Sequence, residues 1–161
     1  MQKYEWSKLE NKLQIGKYAE YFVMMELTRY GFQVYRTEVD DRGIDFVCRY
    51  EYAPFIEVQV KSVRGDVGYI FMEKDKFLLR KELYLVLVLF SDGQLPTLYL
   101  MPSTEWERPH DVFVSRDYEG KESKPEWGLN ISHKNMHVLK KYRFEKVIDQ
   151  LKKKPKEEIT F

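Results

Sequence analysis

The sequence predicts an α/β domain in which helices pack against a mixed β-sheet, and three observations carry that prediction. Apolar residues recur three and four apart from Leu13 to Tyr30, the spacing of one face of a helix. Two segments rich in Val, Ile, Phe and Tyr flank the short connection Glu51-Tyr52-Ala53-Pro54, as the arms of a hairpin do. The run LYLVLVLF from Leu83 to Phe90 is nearly continuous in apolar residues and reads as a strand buried on both faces.

The first helix carries Ala19, Phe22, Val23, Leu27 and Tyr30 as its stripe, with Gly31 as its stop. Glu20 lies three residues before Val23 and seven before Leu27, which puts it on the edge of that stripe. Strands are expected over roughly Gln33 to Thr37, Ile44 to Tyr50 and Phe55 to Val63, the last two as antiparallel neighbours. A polar stretch containing Gly65 and Gly68 leads to a second helix expected over Glu73 to Lys81, a crossover from the third strand to the buried one. Asp92-Gly93 turns the chain into a further strand, Thr97 to Met101. Beyond Pro102 the signal is weaker, with a short strand at Val112 to Val114 and a final helix over Tyr142 to Leu151. The run KKKPKEE that follows reads as a solvated, frayed end. At 161 residues one domain is expected, with its core over about 12–102 and a C-terminal extension over 103–161.

Composition excludes more than it selects. Apolar residues are 43% and charged residues 33%, the pattern of an ordinary soluble protein, and the net charge of +1 supplies no overall field for a polyanion. A nucleic-acid partner would have to meet a local basic patch. The single cysteine, Cys48, rules out an intrachain disulfide and fits a reducing cytoplasm. It falls on the apolar face of its strand, the place of an inert core thiol. The N-terminal segment has no apolar run resembling a signal peptide, and Leu83 to Phe90 is too short to span a bilayer. His133 and His137 are four apart, but Lys134 stands where a metalloprotease helix needs glutamate.

The informative stretch is GIDFVCRYEYAPFIEVQVKS, from Gly43 to Ser62. Alternate strand residues share a face, so Glu57, Gln59 and Lys61 point one way while Ile56, Val58 and Val60 point the other. If residues 45 and 59 face each other across the hairpin, Asp45 joins Gln59 and Lys61 on one side, and Glu20 could pack over it. Carboxylate and amide oxygens are hard ligands for Mg²⁺, and a nearby ammonium can orient water or neutralise developing charge. Such a cluster suits phosphodiester hydrolysis.

The glutamate in GKYAEYF, the GID containing Asp45 and the QVK of Gln59 to Lys61 resemble the PD-(D/E)XK nuclease superfamily. Within it they are similar to archaeal-type Holliday-junction resolvases and Mrr-like restriction endonucleases. A GIDF…QVKS pattern is also similar to that of small prokaryotic proteins of unknown function. The resemblance covers about the first hundred residues and implies a restriction-endonuclease-like αβββαβ core. By position it implies Asp45 as principal metal ligand, Lys61 as catalytic lysine, Glu20 as the assisting helix acid and the Val60 carbonyl as a further ligand. It implies Mg²⁺ as cofactor, with Mn²⁺ as an alternative ion, and DNA rather than RNA as substrate. Gln59 stands where most members carry an acid, which should weaken metal binding, although members of the Mrr group use glutamine there. Glu57 could supply the missing charge or sit in water at the sheet edge.

Arg64, Lys74, Lys76, Arg80 and Lys81 follow the motif and are candidate phosphate contacts, with Tyr69 and Phe71 as candidate stacking rings. Two functions stay open: a metal-dependent endonuclease, and a nuclease-fold module without catalysis that docks nucleic acid or a protein. Junction resolution would require a homodimer offering two sites.

Overall fold

The computed structural model describes residues 3–39 and 42–156. Helix α1 (Lys12–Arg29) is capped by the Asn11 carboxamide, which accepts from the amides of Leu13 and Gln14 at 3.0 and 3.3 Å. It ends where Gly31 takes a left-handed φ of 90°. Strands β1 (Phe32–Arg36), β2 (Phe46–Tyr50), β3 (Ile56–Arg64), β5 (Leu83–Phe90) and β6 (Thr97–Pro102) form one sheet in the order β1-β2-β3-β5-β6. Only β3 and β5 run parallel in it, so the sheet is mixed. β4 (Gly68–Glu73), β7 (Phe113–Arg116) and β8 (Glu126–Ile131) form a second sheet in the order β4-β8-β7. The single turn α2 (Met136–Leu139) and helix α3 (Phe144–Lys152) complete the chain.

The central strand β5 is buried along its whole length and separates two cores. On one face Phe46, Cys48, Val58, Val86 and Val88 pack against Phe22, Val23 and Leu27 of α1 and Ile148 and Leu151 of α3. On the other face Leu85, Leu87, Tyr99 and Met101 pack against Ile70, Met72, Phe113 and Leu129 of the second sheet, with Trp106 between. Helices therefore flank one face of the mixed sheet, and the second sheet covers most of the other.

The crossover is not the helix that the sequence predicts over Glu73 to Lys81. β4 ends at Glu73, and residues 74–82 run as turns and extended chain with Phe77 buried as their anchor. The segment is rich in helix formers, but β4 finds its hydrogen bonds on β8, more than fifty residues later, and the remaining chain is spent spanning back to β5. The lysine run is exposed beyond Lys152, as a solvated end should be, yet its side chains are engaged. Lys152 lies over the Tyr50 ring at 5.0 Å, Lys154 Nζ donates to the Tyr84 hydroxyl at 3.2 Å and Lys156 pairs with Glu51, so this chain follows the end of the sheet. Glu157 and Glu158 of that run lie outside the described residues.

Cys48 sits in the first core with no exposed surface, and burial pushes its thiol up to about 12. The folded value is raised, so this group's contribution to stability is intact below the unfolded thiol's value, about 8.5. It is lost as pH rises from there toward 12. Native protein at pH 8 should therefore resist maleimide labelling and take up one equivalent in denaturant, which mass spectrometry reads directly. Rapid native labelling would contradict the burial. Among the described residues no helix is long and apolar enough to cross a membrane.

Candidate active site

The hairpin register is Phe46↔Val58 and Cys48↔Ile56, and one further regular step would set Asp45 opposite Gln59. Regular pairing stops at Phe46. The Asp45 amide still donates to the Val58 carbonyl at 2.9 Å, and its carboxylate Oδ2 accepts from the Val60 amide at 2.7 Å. A side chain thus replaces the strand partner that β2 no longer provides. The N–H and C=O of one strand residue point to the same side, so the Val60 carbonyl also faces this opening.

Gln59 lies beside it with a buried Oε1 that has no hydrogen-bond partner. Gly43 makes room for this amide: its φ is +70°, and a Cβ there would stand 3.4 Å from Gln59 Nε2 and 3.5 Å from the Lys76 carbonyl oxygen. Lys61, two residues on along the same face, has no hydrogen-bond or ion-pair partner among the described residues. Gln59, Lys61, Phe71, Glu73 and Lys76 line one cleft of about 260 Å³. Glu73 is tied at 3.4 Å to Lys124 and 3.5 Å to Lys76. Partial burial opposes ionisation, but those two ammoniums hold its carboxyl below the usual range.

Asp45, Gln59, Lys61 and Lys76 are thus brought to one region. Other candidates are turned elsewhere. Glu20 is on α1, whose buried residues pack on the face of the sheet opposite Gln59 and Lys61. Its carboxylate, 23% exposed, pairs with Lys17 at 2.7 Å. Glu57 neither faces the cleft nor sits alone in water, because Arg80 takes it with Nε at 2.8 Å and with Nη2. Arg64 donates to the Leu9 carbonyl at 2.7 Å, which holds the N-terminal segment. Lys74 is engaged by Asp117 at 2.7 Å, by Ser115 at 2.6 Å and by the Trp127 ring at 3.9 Å. Lys81 borders a separate cavity of about 200 Å³ at the hairpin's far end, beside Arg49 and Phe55.

Gly43, Met72 and Glu73 are the cleft residues that sequence reasoning missed. The signal for Glu73 was the alternation of Ile70 and Met72 with Tyr69 and Phe71, the mark of a strand. The two histidines are turned to different partners: His133 Nε2 lies 3.4 Å from Asp66, and His137 Nδ1 contacts the Lys134 carbonyl at 2.8 Å. Among the described residues no three His, Cys, Asp or Glu side chains gather as metal ligands.

No protein-family model matches the sequence, and no curated protein matches it either. The fold is similar to that of Hjc, a Holliday junction resolvase from the archaeal hyperthermophile Archaeoglobus fulgidus. The two superpose with a TM-score of 0.54 at 12% identity, over 83% of this chain and 95% of that one. The restriction-endonuclease-like fold that the sequence resemblance implies is therefore present, although the crossover helix is not.

Proposed function

We propose that the chain is a metal-dependent nuclease that hydrolyses phosphodiester bonds in DNA, with its site at the opening between β2 and β3. One observation carries the reading: Gln59 Oε1 is a buried amide oxygen without a partner, on the residue next to Val60, whose amide holds the Asp45 carboxylate and whose carbonyl faces the same opening. These are three hard oxygen donors on one opening, and Mg²⁺ accepts a donor set with one carboxylate because it keeps several waters and takes phosphate oxygens as well. The residues present thus fit a Mg²⁺ or Mn²⁺ ion, which would supply Lewis acidity at the scissile phosphate.

The chain's own residues supply the rest. Asp45 and Gln59 hold the site's geometry, the first anchored through the Val60 amide. Lys61, unpaired in the same cleft, donates hydrogen bonds to the attacking water and to the phosphate oxygen that gains charge. Lys76 holds a neighbouring phosphate. Glu20, on the helix that packs on the opposite face of the sheet and paired with Lys17, is left out of this donor set. Resolution of a four-way junction, the activity named for Hjc, would further need a homodimer.

The second reading, a silent module that docks nucleic acid or protein, is favoured by the neutral Gln59 in the place where most members of the superfamily carry an acid. Cleavage of labelled duplex, single-stranded and branched DNA and of RNA, with Mg²⁺, Mn²⁺ or EDTA, separates the two. Metal-dependent cutting lost on Lys61→Ala supports the nuclease. Cutting that survives this substitution, or none by the wild type, sinks it in favour of the module.

A further inference from the structure

We propose that Phe71 is a stacking platform for an unpaired nucleobase, so that the cleft takes single-stranded or branched nucleic acid in preference to continuous duplex. The proposal rests on the nuclease reading for the position of the cut, but base stacking itself requires no cleavage.

Within β4, Ile70 and Met72 are buried in the second core, which turns Tyr69, Phe71 and Glu73 to the outer face. Two of those three are already engaged. The Tyr69 hydroxyl donates to Glu126 Oε2 at 2.5 Å while Arg116 lies 4.5 Å over its ring, and Glu73 holds Lys76 and Lys124. Phe71 has neither a ring partner nor a cation over it among the described residues, and it is 50% exposed. Its cross-strand neighbour is Gly128, which offers no side chain to cover it. A Cβ at Gly128 would meet the Tyr69 hydroxyl at 2.0 Å, so that space belongs to Tyr69. Of the other exposed aromatics, Tyr4 stacks on Trp6, Arg36 lies over Tyr21, and Tyr35 and Phe55 pack edge to face at 5.8 Å, while Tyr52 sits in the connection between β2 and β3, outside the lining of this cleft.

Position gives the exposed ring its meaning. Gly68 is pressed against Val63, where a Cβ would come within 3.0 Å of Cγ1, and this close turn folds β4 back beside β3. Phe71 thereby becomes a wall of the cleft that also holds Lys61 and Lys76. Ammoniums that meet phosphates beside an apolar ring that meets a base are the two parts of a single-strand groove, and stacking of this kind tolerates any base. The cleft, with a volume of about 260 Å³, has room for one base beside the ring.

The test is binding of the full-length chain, in EDTA, to single-stranded DNA carrying 2-aminopurine, with a continuous duplex of the same sequence as comparison. The wild type should quench the probe. Phe71→Ala should remove the quench and weaken single-strand binding roughly five- to a hundredfold, more than it weakens duplex binding. Phe71→Tyr should restore both, and an unchanged thermal midpoint confirms that the variants fold. Equal weakening of both ligands, a quench that survives Phe71→Ala, or no single-strand binding by the wild type would overturn the proposal. A quench that depends on Phe71 in a protein that cuts nothing supports the stacking and sinks only the nuclease reading.

Discussion

Asp45→Asn should leave the protein folded and reduce DNA cleavage on the order of a thousandfold or more. On the nuclease reading this side chain has two functions, and their requirements differ. Val60 N–H needs an acceptor where β2 departs, and an asparagine oxygen can still accept that bond at the 2.7 Å position. A divalent ion needs the negative charge, which asparagine lacks. Asp45→Ala removes both and leaves the amide without a partner, so it should also destabilise by roughly 1–3 kcal/mol. Cleavage assays and urea midpoints on the pair therefore dissect the site. Loss of cutting with a wild-type midpoint in Asp45→Asn places charge at the centre of the chemistry. Cutting retained by Asp45→Asn would remove Asp45 from the catalytic set, whatever the alanine variant does.

The elements legible in the sequence are those whose partners are near in the chain or whose pattern does not depend on a partner. α1 is written in the spacing of Ala19, Phe22, Val23 and Leu27, all buried in the structure. The β2–β3 hairpin follows from its short connection, and β5 from an apolar run that only burial on both faces explains. That Asp45 lies against β3 near Gln59 was legible for the same reason, although regular pairing stops one residue short of it, at Phe46↔Val58.

What stayed hidden depends on distant pairing. β4 is short, begins at a glycine and completes itself only on β8, while β8 is interrupted by Gly128, which weakens the strand signal although the Tyr69 ring requires it. The charged residues were hidden differently. Position in the chain cannot tell that Arg64 is spent on the Leu9 carbonyl, Lys74 on Asp117 and Glu57 on Arg80, because each partner lies on another element. Lys61 remained for the cleft, with Lys76 beside it paired to Glu73 of the same cleft.

Trp106→Ala should cost roughly 3–5 kcal/mol of folding stability, because it empties the junction between the two sheets. The indole is fully buried on the turn after β6, with its Nε1 donating to the Gly128 carbonyl at 2.7 Å. It packs edge on against Phe113 of β7 at 4.8 Å and Phe77 of the crossover at 5.7 Å. One side chain thus ties β6, β7, β8 and the crossover together, and its loss opens a cavity that these rigid neighbours cannot collapse to fill. Trp106→Phe keeps an aromatic ring and loses the bond to Gly128, so roughly 1–3 kcal/mol is expected from it. Cys48 reports how far the damage travels, since it lies in the other core, across the doubly buried β5. If the sheets unfold together, the rate of Cys48 labelling in native buffer should rise roughly 10²- to 10⁴-fold in Trp106→Ala, matching the urea-derived loss. If labelling stays at the wild-type rate while the second sheet loses its amide protection, the sheets unfold separately. The cleft wall that carries Phe71 could then open while the strands that carry Asp45 and Lys61 remain folded.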